Sequence, residues 1–396
     1  MSRLSLLLLT VAAVGCGQGR GPVPPQPTAV TARSAPEVGL APGVRFLLAQ
    51  QSPDGAWRSD VYATFKDGTA LTPHVLVALQ AAADAGALPD TAAARRKASE
   101  WLAKKVGADG TIDEGADGLP YPVYTAALSV TALSHADNRD LAPKRDAWLK
   151  YLLDRQLVEK NGWAPEDKQY GGWGYYPRVP KKPAPGQLVP AQHLLESNIS
   201  ATASALDALA AAGVAEPKLV GPGLHFALAR KNTDGGFHFV YDDPVRNKAG
   251  AVRNANGPPR FPSYGSATAD GARIIGRGSP ERSAIDPAAA KARDWLESHF
   301  SPDHHPGDYI PAHERNRDAV YFYYAASVAK TFRLMGVTKV NGHRHWADAL
   351  TNALCAKQNP DGAWQNDLEL VRENDPLLAT AYAVAALAEC RRARAE

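Results

Sequence analysis

Apolar positions recur along this chain with the period of amphipathic helices, and the runs come in unlike pairs. The first run of each pair carries a bulky apolar residue: Phe46, Trp101, Trp148, Phe226, Trp295 and Trp346 in turn. It ends in a turn, mostly with Asp or Asn before Gly. The second run holds Ala, Ser and Thr on several faces. "VRFLLAQQSPDGAW" precedes "TPHVLVALQAAADAG", and "WADALTNALCAKQNPDGAW" precedes "DPLLATAYAVAALAEC", with four weaker pairs between them. The pattern predicts six helical hairpins.

Each part of the pattern has a physical reason. Glycine adopts the left-handed conformation cheaply, and the Asx side chain before it caps the turn. Trp57, Phe237 and Trp364 follow such turns, where a large ring can wedge between neighbouring hairpins. Helices of small residues suit close packing on every side. No hairpin could bury these faces alone, so the array must stack. Outer amphipathic and inner small-residue helices predict an all-α protein, an α/α toroid (α6/α6 barrel), over residues 44–391.

Two copies of the turn are nearly identical. One holds Gln51, Asp54, Gly55 and Trp57, and the other Gln358, Asp361, Gly362 and Trp364. They resemble the QW-type repeats of the squalene–hopene cyclase and protein prenyltransferase superfamily, while the other units are degenerate. The resemblance implies a single toroid of terpenoid cyclase or prenyltransferase type. The chemistry it implies lacks its residues here. Squalene–hopene-type cyclases protonate an alkene with the Asp of a D-x-D-D motif, which this sequence does not contain. Prenyltransferases hold zinc with Asp, Cys and His, but Cys355 and Cys390 fall away from the predicted site. By helix geometry those two cysteines also lie well over ~10 Å apart, so free thiols are expected.

Long first-to-second-helix connections at about 160–196 and 233–263 break the symmetry and gather where the inner helices begin. Inner-helix N-termini concentrate partial positive charge there, and loops on a rigid scaffold carry function. The candidate ligand face is therefore His74, Tyr124, Trp173, Tyr175, Asn198, Tyr321 and Tyr324, with Asp318 capping inner helix five. Asp318, Asp242 and Asp308 are weak acid/base candidates. They would matter for an alternative reading as an (α/α)6 carbohydrate-active enzyme with paired carboxylates. His304, His305 and His313 are weak metal candidates, since their spacing matches no strong motif. No cofactor is expected.

Composition narrows the partners. Apolar residues make up 45% and charged residues 21%, enough for a large core, and a net charge of +3 gives no reason to expect nucleic acid. Residues 1–15, with Arg3 before "LSLLLLTVAAV", read as a signal peptide. "AVGC" resembles a bacterial lipobox, with Ala13 where Leu is usual, and implies a lipidated Cys16. The Pro- and Gly-rich segment 16–43 reads as a tether. The chain is thus expected to be an exported, lipid-anchored envelope protein. It would bind an apolar or extended ligand, an isoprenoid or a peptide, in the barrel mouth. An active terpenoid cyclase-like isomerase is the other alternative.

Overall fold

The computed structural model describes residues 35–396 apart from 88, 117, 188–190, 254–256, 277–285 and 342–343. The expected signal peptide, the lipobox and Cys16 lie outside the described residues. Among the described residues twelve long helices follow in pairs: α1 (Ala35–Ala49) and α2 (Leu71–Asp84), α3 (Ala92–Lys104) and α4 (Pro122–Leu133), α5 (Ala142–Leu153) and α6 (Ile199–Ala211). The series continues with α7 (Pro217–Leu228) and α8 (Gly265–Gly276), α9 (Pro287–His299) and α10 (Tyr321–Leu334), α11 (Trp346–Ala356) and α12 (Pro376–Ala395).

The even-numbered helices pack side by side in the order α2, α4, α6, α8, α10, α12, and α12 returns to α2. That closes an inner ring. The odd-numbered helices pack outside it, and α1 lies against both α11 and α12, across the closure. The fold is an α/α toroid. Alanines dominate the inner contacts, as at Ala78, Ala126, Ala205, Ala269, Ala325 and Ala383, which lets neighbouring backbones approach closely.

The first helix begins at Ala35, inside the segment expected as a tether, and Leu40 is buried. Pro42 and the glycines made this stretch read as a linker. Here Gly39 and Gly43 are contact points instead: a Cβ on Gly39 would stand 2.5 Å from Sγ of Cys355, and one on Gly43 2.6 Å from the Trp364 ring. Among the described residues neither Cys355 nor Cys390 is joined in a disulfide.

The repeated turn is a clamp between units. Nε2 of Gln51 donates to the carbonyl of Gly55 at 2.9 Å and to that of Ala94 on α3 at 2.9 Å. The indole N–H of Trp57 donates to the Leu47 carbonyl at 2.7 Å, and its backbone N–H to Oγ1 of Thr72 on α2 at 3.1 Å. The sixth unit repeats every bond. Gln358 reaches the carbonyls of Gly362 at 2.8 Å and of Gly39 on α1 at 3.0 Å. Trp364 donates to the Leu354 carbonyl at 2.7 Å and to Oγ1 of Thr380 at 2.9 Å. Gly362 has φ +90, and a Cβ there would meet the Pro42 carbonyl at 2.6 Å. The sixth turn therefore closes the ring onto the first helix.

Unit three hides a third copy. Nε2 of Gln156 reaches the Gly171 carbonyl at 3.0 Å and the Leu219 carbonyl on α7 at 3.2 Å. Trp173 then donates to the Leu152 carbonyl at 2.9 Å and to Oγ1 of Thr202 at 3.2 Å. An insertion between Gln156 and Gly171 masks the motif in the sequence. Phe237 uses only the backbone half of the device, donating its N–H to Oγ1 of Thr268 at 3.0 Å.

Candidate functional site

At the end of the ring where the inner helices begin lies a cavity of about 400 Å3. Every inner helix contributes a side chain from its first turns: His74, Tyr124, Ser200, Ser266, Tyr323, and Leu378 with Tyr382. Tyr121, Tyr175, Phe239 and Phe65 add aromatic faces from the loops, and the segment Leu370–Glu373 covers one side. Nine of its nineteen lining residues carry aromatic rings, and six of these are tyrosines.

His74 sits deepest in chemical interest. Its Nδ1 lies 2.9 Å from the Ala70 carbonyl. A carbonyl only accepts, so Nδ1 carries the proton and Nε2 presents a lone pair. The Tyr382 hydroxyl lies 3.5 Å from that Nε2, with the two rings edge to face. Burial pushes the imidazole down to about 4, so it is neutral at pH 7.

On the next wall the Tyr124 and Tyr175 rings stack at 5.7 Å, their hydroxyls 3.4 Å apart. Tyr175 donates to Oδ1 of Asn198 at 3.2 Å. That same oxygen caps α6 by accepting the Ala201 N–H at 2.9 Å. Asn198 thus holds a wall tyrosine rather than facing the cavity. Burial raises Tyr124 well above the ordinary range and Tyr175 to about 12, so both hydroxyls stay protonated.

The floor rests on Asp270, which is fully buried. Its carboxylate accepts from Ser200 at 2.7 Å, Tyr323 at 2.7 Å, Ser327 at 2.6 Å and Arg273 at 2.8 Å. Buried and fully paired, this carboxylate fixes the Tyr323 ring in the wall.

Glu373 is the carboxyl group on the described wall. Its two oxygens accept the backbone N–H groups of Tyr323 at 2.8 Å and Phe322 at 2.9 Å. It therefore caps α10 from the loop of another unit, the task expected of Asp318. Burial outweighs those donors and pushes its pKa up to about 8. Beside it, Arg372 adopts φ +67 and lays its guanidinium 4.8 Å from the Tyr62 ring centre and 5.1 Å from that of Tyr121.

Several sequence candidates lie elsewhere. Trp173 is a buried wedge, as above. Tyr321 and Tyr324 do share a face, but it turns to the outer layer, where their hydroxyls donate to the carbonyls of Pro302 at 2.6 Å and Ser301 at 3.2 Å. Tyr323 between them faces the cavity. Asp318 accepts the His305 N–H at 2.8 Å, while Asp242 and Asp308 are exposed; none of the three lines the cavity. His305 is held between the Ser266 N–H at 2.9 Å and the Tyr309 hydroxyl at 2.8 Å. His313 points to the Lys248 carbonyl at 3.0 Å, and His304 is exposed beside Ser301. These histidines do not converge, and among the described residues no group of three His, Cys, Asp or Glu is placed to hold a metal ion.

No family model matches the chain. No curated protein matches it either. Solved structures do share the fold. The type II terpene cyclase MstE from Scytonema, in complex with its substrate geranylgeranyl dihydroxybenzoate, matches with TM-score 0.57 at 13% identity, covering 91% of this chain and 98% of that one. A D-mannose isomerase matches with TM-score 0.57 at 14% identity, covering 93% and 100%. The cellobiose 2-epimerase from Spirochaeta thermophila DSM 6192 gives TM-score 0.55 at 15% identity, covering 93% and 100%. At such identities the likeness carries the toroid and leaves activity to the site.

Proposed function

We propose that this protein binds an apolar, extended ligand of isoprenoid character in the mouth of the toroid. The observation that carries the reading is the wall itself. It is a concave, tyrosine-lined cavity of about 400 Å3 at the convergence of the inner-helix N-termini. That volume falls among small-molecule pockets, roughly 300–1,000 Å3. The cyclase-like toroid and the QW-type turns support the same ligand class.

Cyclisation by alkene protonation has less support. It needs an unusually strong acid, and the sequence has no D-x-D-D motif. The wall carboxyl, Glu373, is pushed the opposite way, to about 8, and holds its proton too firmly for an unactivated alkene. Glu373 with neutral His74 suits proton transfer on an already activated group, so any isomerase activity would use them.

A sugar ligand is the second reading. It draws on the tyrosine hydroxyls and the His74 lone pair around the cavity, and on the isomerase and epimerase toroids. Paired carboxylates are missing from the described wall, which weighs against a glycosidase.

The export signal and "AVGC" support a place in the bacterial envelope, with lipidated Cys16 as the anchor. Among the described residues no helix is long and apolar enough to cross a membrane. Two experiments test the proposal. Thermal shift with farnesol and geranylgeraniol, against mannose and cellobiose, is expected to stabilise only with the isoprenoids; a sugar-only shift would favour the second reading. Alkyne-fatty-acid labelling in cells is expected to mark the protein and to vanish in Cys16→Ser.

A further inference from the structure

Four inner helices and the loop above them form a continuous belt of rings around the cavity. Tyr175 stacks on Tyr124 at 5.7 Å, and Tyr124 faces His74 at 6.4 Å. His74 meets Tyr382 edge to face at 5.8 Å, and Tyr382 meets Tyr323 at 5.5 Å. All five line the cavity, as does Ser200 beside Tyr323.

Each hydroxyl of this belt gives its hydrogen to the protein. Asp270, ion-paired with Arg273 at 2.8 Å, offers only lone pairs. Tyr323 and Ser200 must therefore both donate to it, each to Oδ2 at 2.7 Å. Nδ1 of His74 spends its hydrogen on Ala70, so the long 3.5 Å contact at Nε2 draws its hydrogen from Tyr382. Tyr175 donates to Oδ1 of Asn198, which leaves Tyr124 as the donor in the 3.4 Å hydroxyl pair. A hydroxyl has one hydrogen and two lone pairs, so what these groups keep for a ligand is lone pairs. Ser200 and Tyr323 hold theirs side by side, because both are fixed on the same carboxylate oxygen.

Acceptors without donors select the complementary group. A carboxylate or an ether oxygen would set lone pair against lone pair, whereas a hydroxyl can donate. An ammonium could donate too, but Arg246, Lys248 and Arg372 already line the cavity, and a further positive charge is repelled. We infer that the ligand carries a neutral hydroxyl, which donates to the paired oxygens of Ser200 and Tyr323 while its apolar body lies along the belt. This deepens the apolar-ligand reading above and rests on it.

The probes are farnesol and farnesyl methyl ether, which keeps the chain but has no hydrogen to donate, titrated calorimetrically into the full chain. Farnesol is expected to bind about tenfold tighter than the ether. Tyr323→Phe keeps the ring and is expected to cut that preference to about threefold or less, with the affinity for the ether unchanged. Ser200→Ala should lower it in the same direction. Tyr321→Phe, whose hydroxyl is held by the Pro302 carbonyl in the outer layer, should leave it whole. Farnesylamine is expected to bind no tighter than farnesol. Equal affinity for farnesol and the ether, an undiminished preference in Tyr323→Phe and Ser200→Ala, or an amine that outbinds the alcohol would each overturn the hydroxyl assignment and leave the apolar-ligand reading standing. Failure of every probe to bind would sink both.

Discussion

The inter-unit clamps are built from glutamine, tryptophan and backbone, the cavity wall from tyrosine, histidine and glutamate, and the two spend their polar atoms differently. At Gln51–Trp57 and Gln358–Trp364 each donor has a partner, and each bond recurs with the same geometry in the other copy. The wall around His74, Glu373 and Arg246 has no such repeat. It holds a neutral His74 whose Nε2 faces the Tyr382 hydroxyl, a Glu373 carboxyl raised to about 8 and an N–H of Arg246 without a partner. Repetition with complete satisfaction marks architecture. Unrepeated groups with shifted protonation mark the candidate site.

That contrast can be broken by mutation. The largest expected effect is on stability at the closure: Trp364→Ala removes a fully buried indole and should cost about 3–5 kcal/mol in urea unfolding. Tyr382→Phe, by contrast, should leave stability within about 1 kcal/mol and act on ligand binding. Equal losses in the two variants would erase the distinction. Next in size is Gln358→Leu, which strips two bonds across the seam and should cost about 1–3 kcal/mol. The same change at Gln156 should match it, because Gln156 makes the corresponding pair of bonds.

The cavity should also write itself into the pH dependence. Glu373 is raised from an ordinary 4.5 to about 8 in the folded chain, so the folded state binds more protons between those values. Its contribution is complete below pH 4.5 and is lost as pH rises through about 8. His74 is lowered from 6.5 to about 4, so its contribution is complete above pH 6.5 and is lost as pH falls toward 4. Thermal melts from pH 4 to 9 should therefore show less alkaline loss in Glu373→Gln and less acid loss in His74→Gln than in the parent. The clamp variants should shift the whole curve without changing its shape. The smallest effect belongs to Tyr323→Phe, which removes one of four bonds to Asp270 and should cost about 1 kcal/mol.

Much of the fold was legible because the first and sixth clamps are local in sequence. Gln51 to Trp57 is a single turn, and its aromatic, glycine and amide recur together. Trp173 was misread as a ligand contact because an inserted loop separates Gln156 from Gly171, so the copy exists only in space. The site was harder for the same reason carried further. Tyr321 and Tyr324 satisfy helical spacing, but spacing does not say which face looks inward, and Tyr323 is the one that does. Glu373 caps a helix of another unit, and Asp270 lies in an alanine-rich run where only its spacing from Arg273 hints at a buried pair. His74, Tyr124 and Tyr175 were reachable because position in the first turn of an inner helix, or on the long loop above it, suffices to place them at the mouth. The start of α1 was missed because Pro42 signals a linker in sequence, whereas here it lies within the helix that seals the ring.

The most direct test of the central claim is native mass spectrometry of the protein purified from the cells that make it. The account expects a bound lipid-like mass, released by Tyr382→Ala or by competing farnesol and retained in Gln156→Leu. Bare protein from those cells, with no mass added by isoprenoid probes, would contradict it.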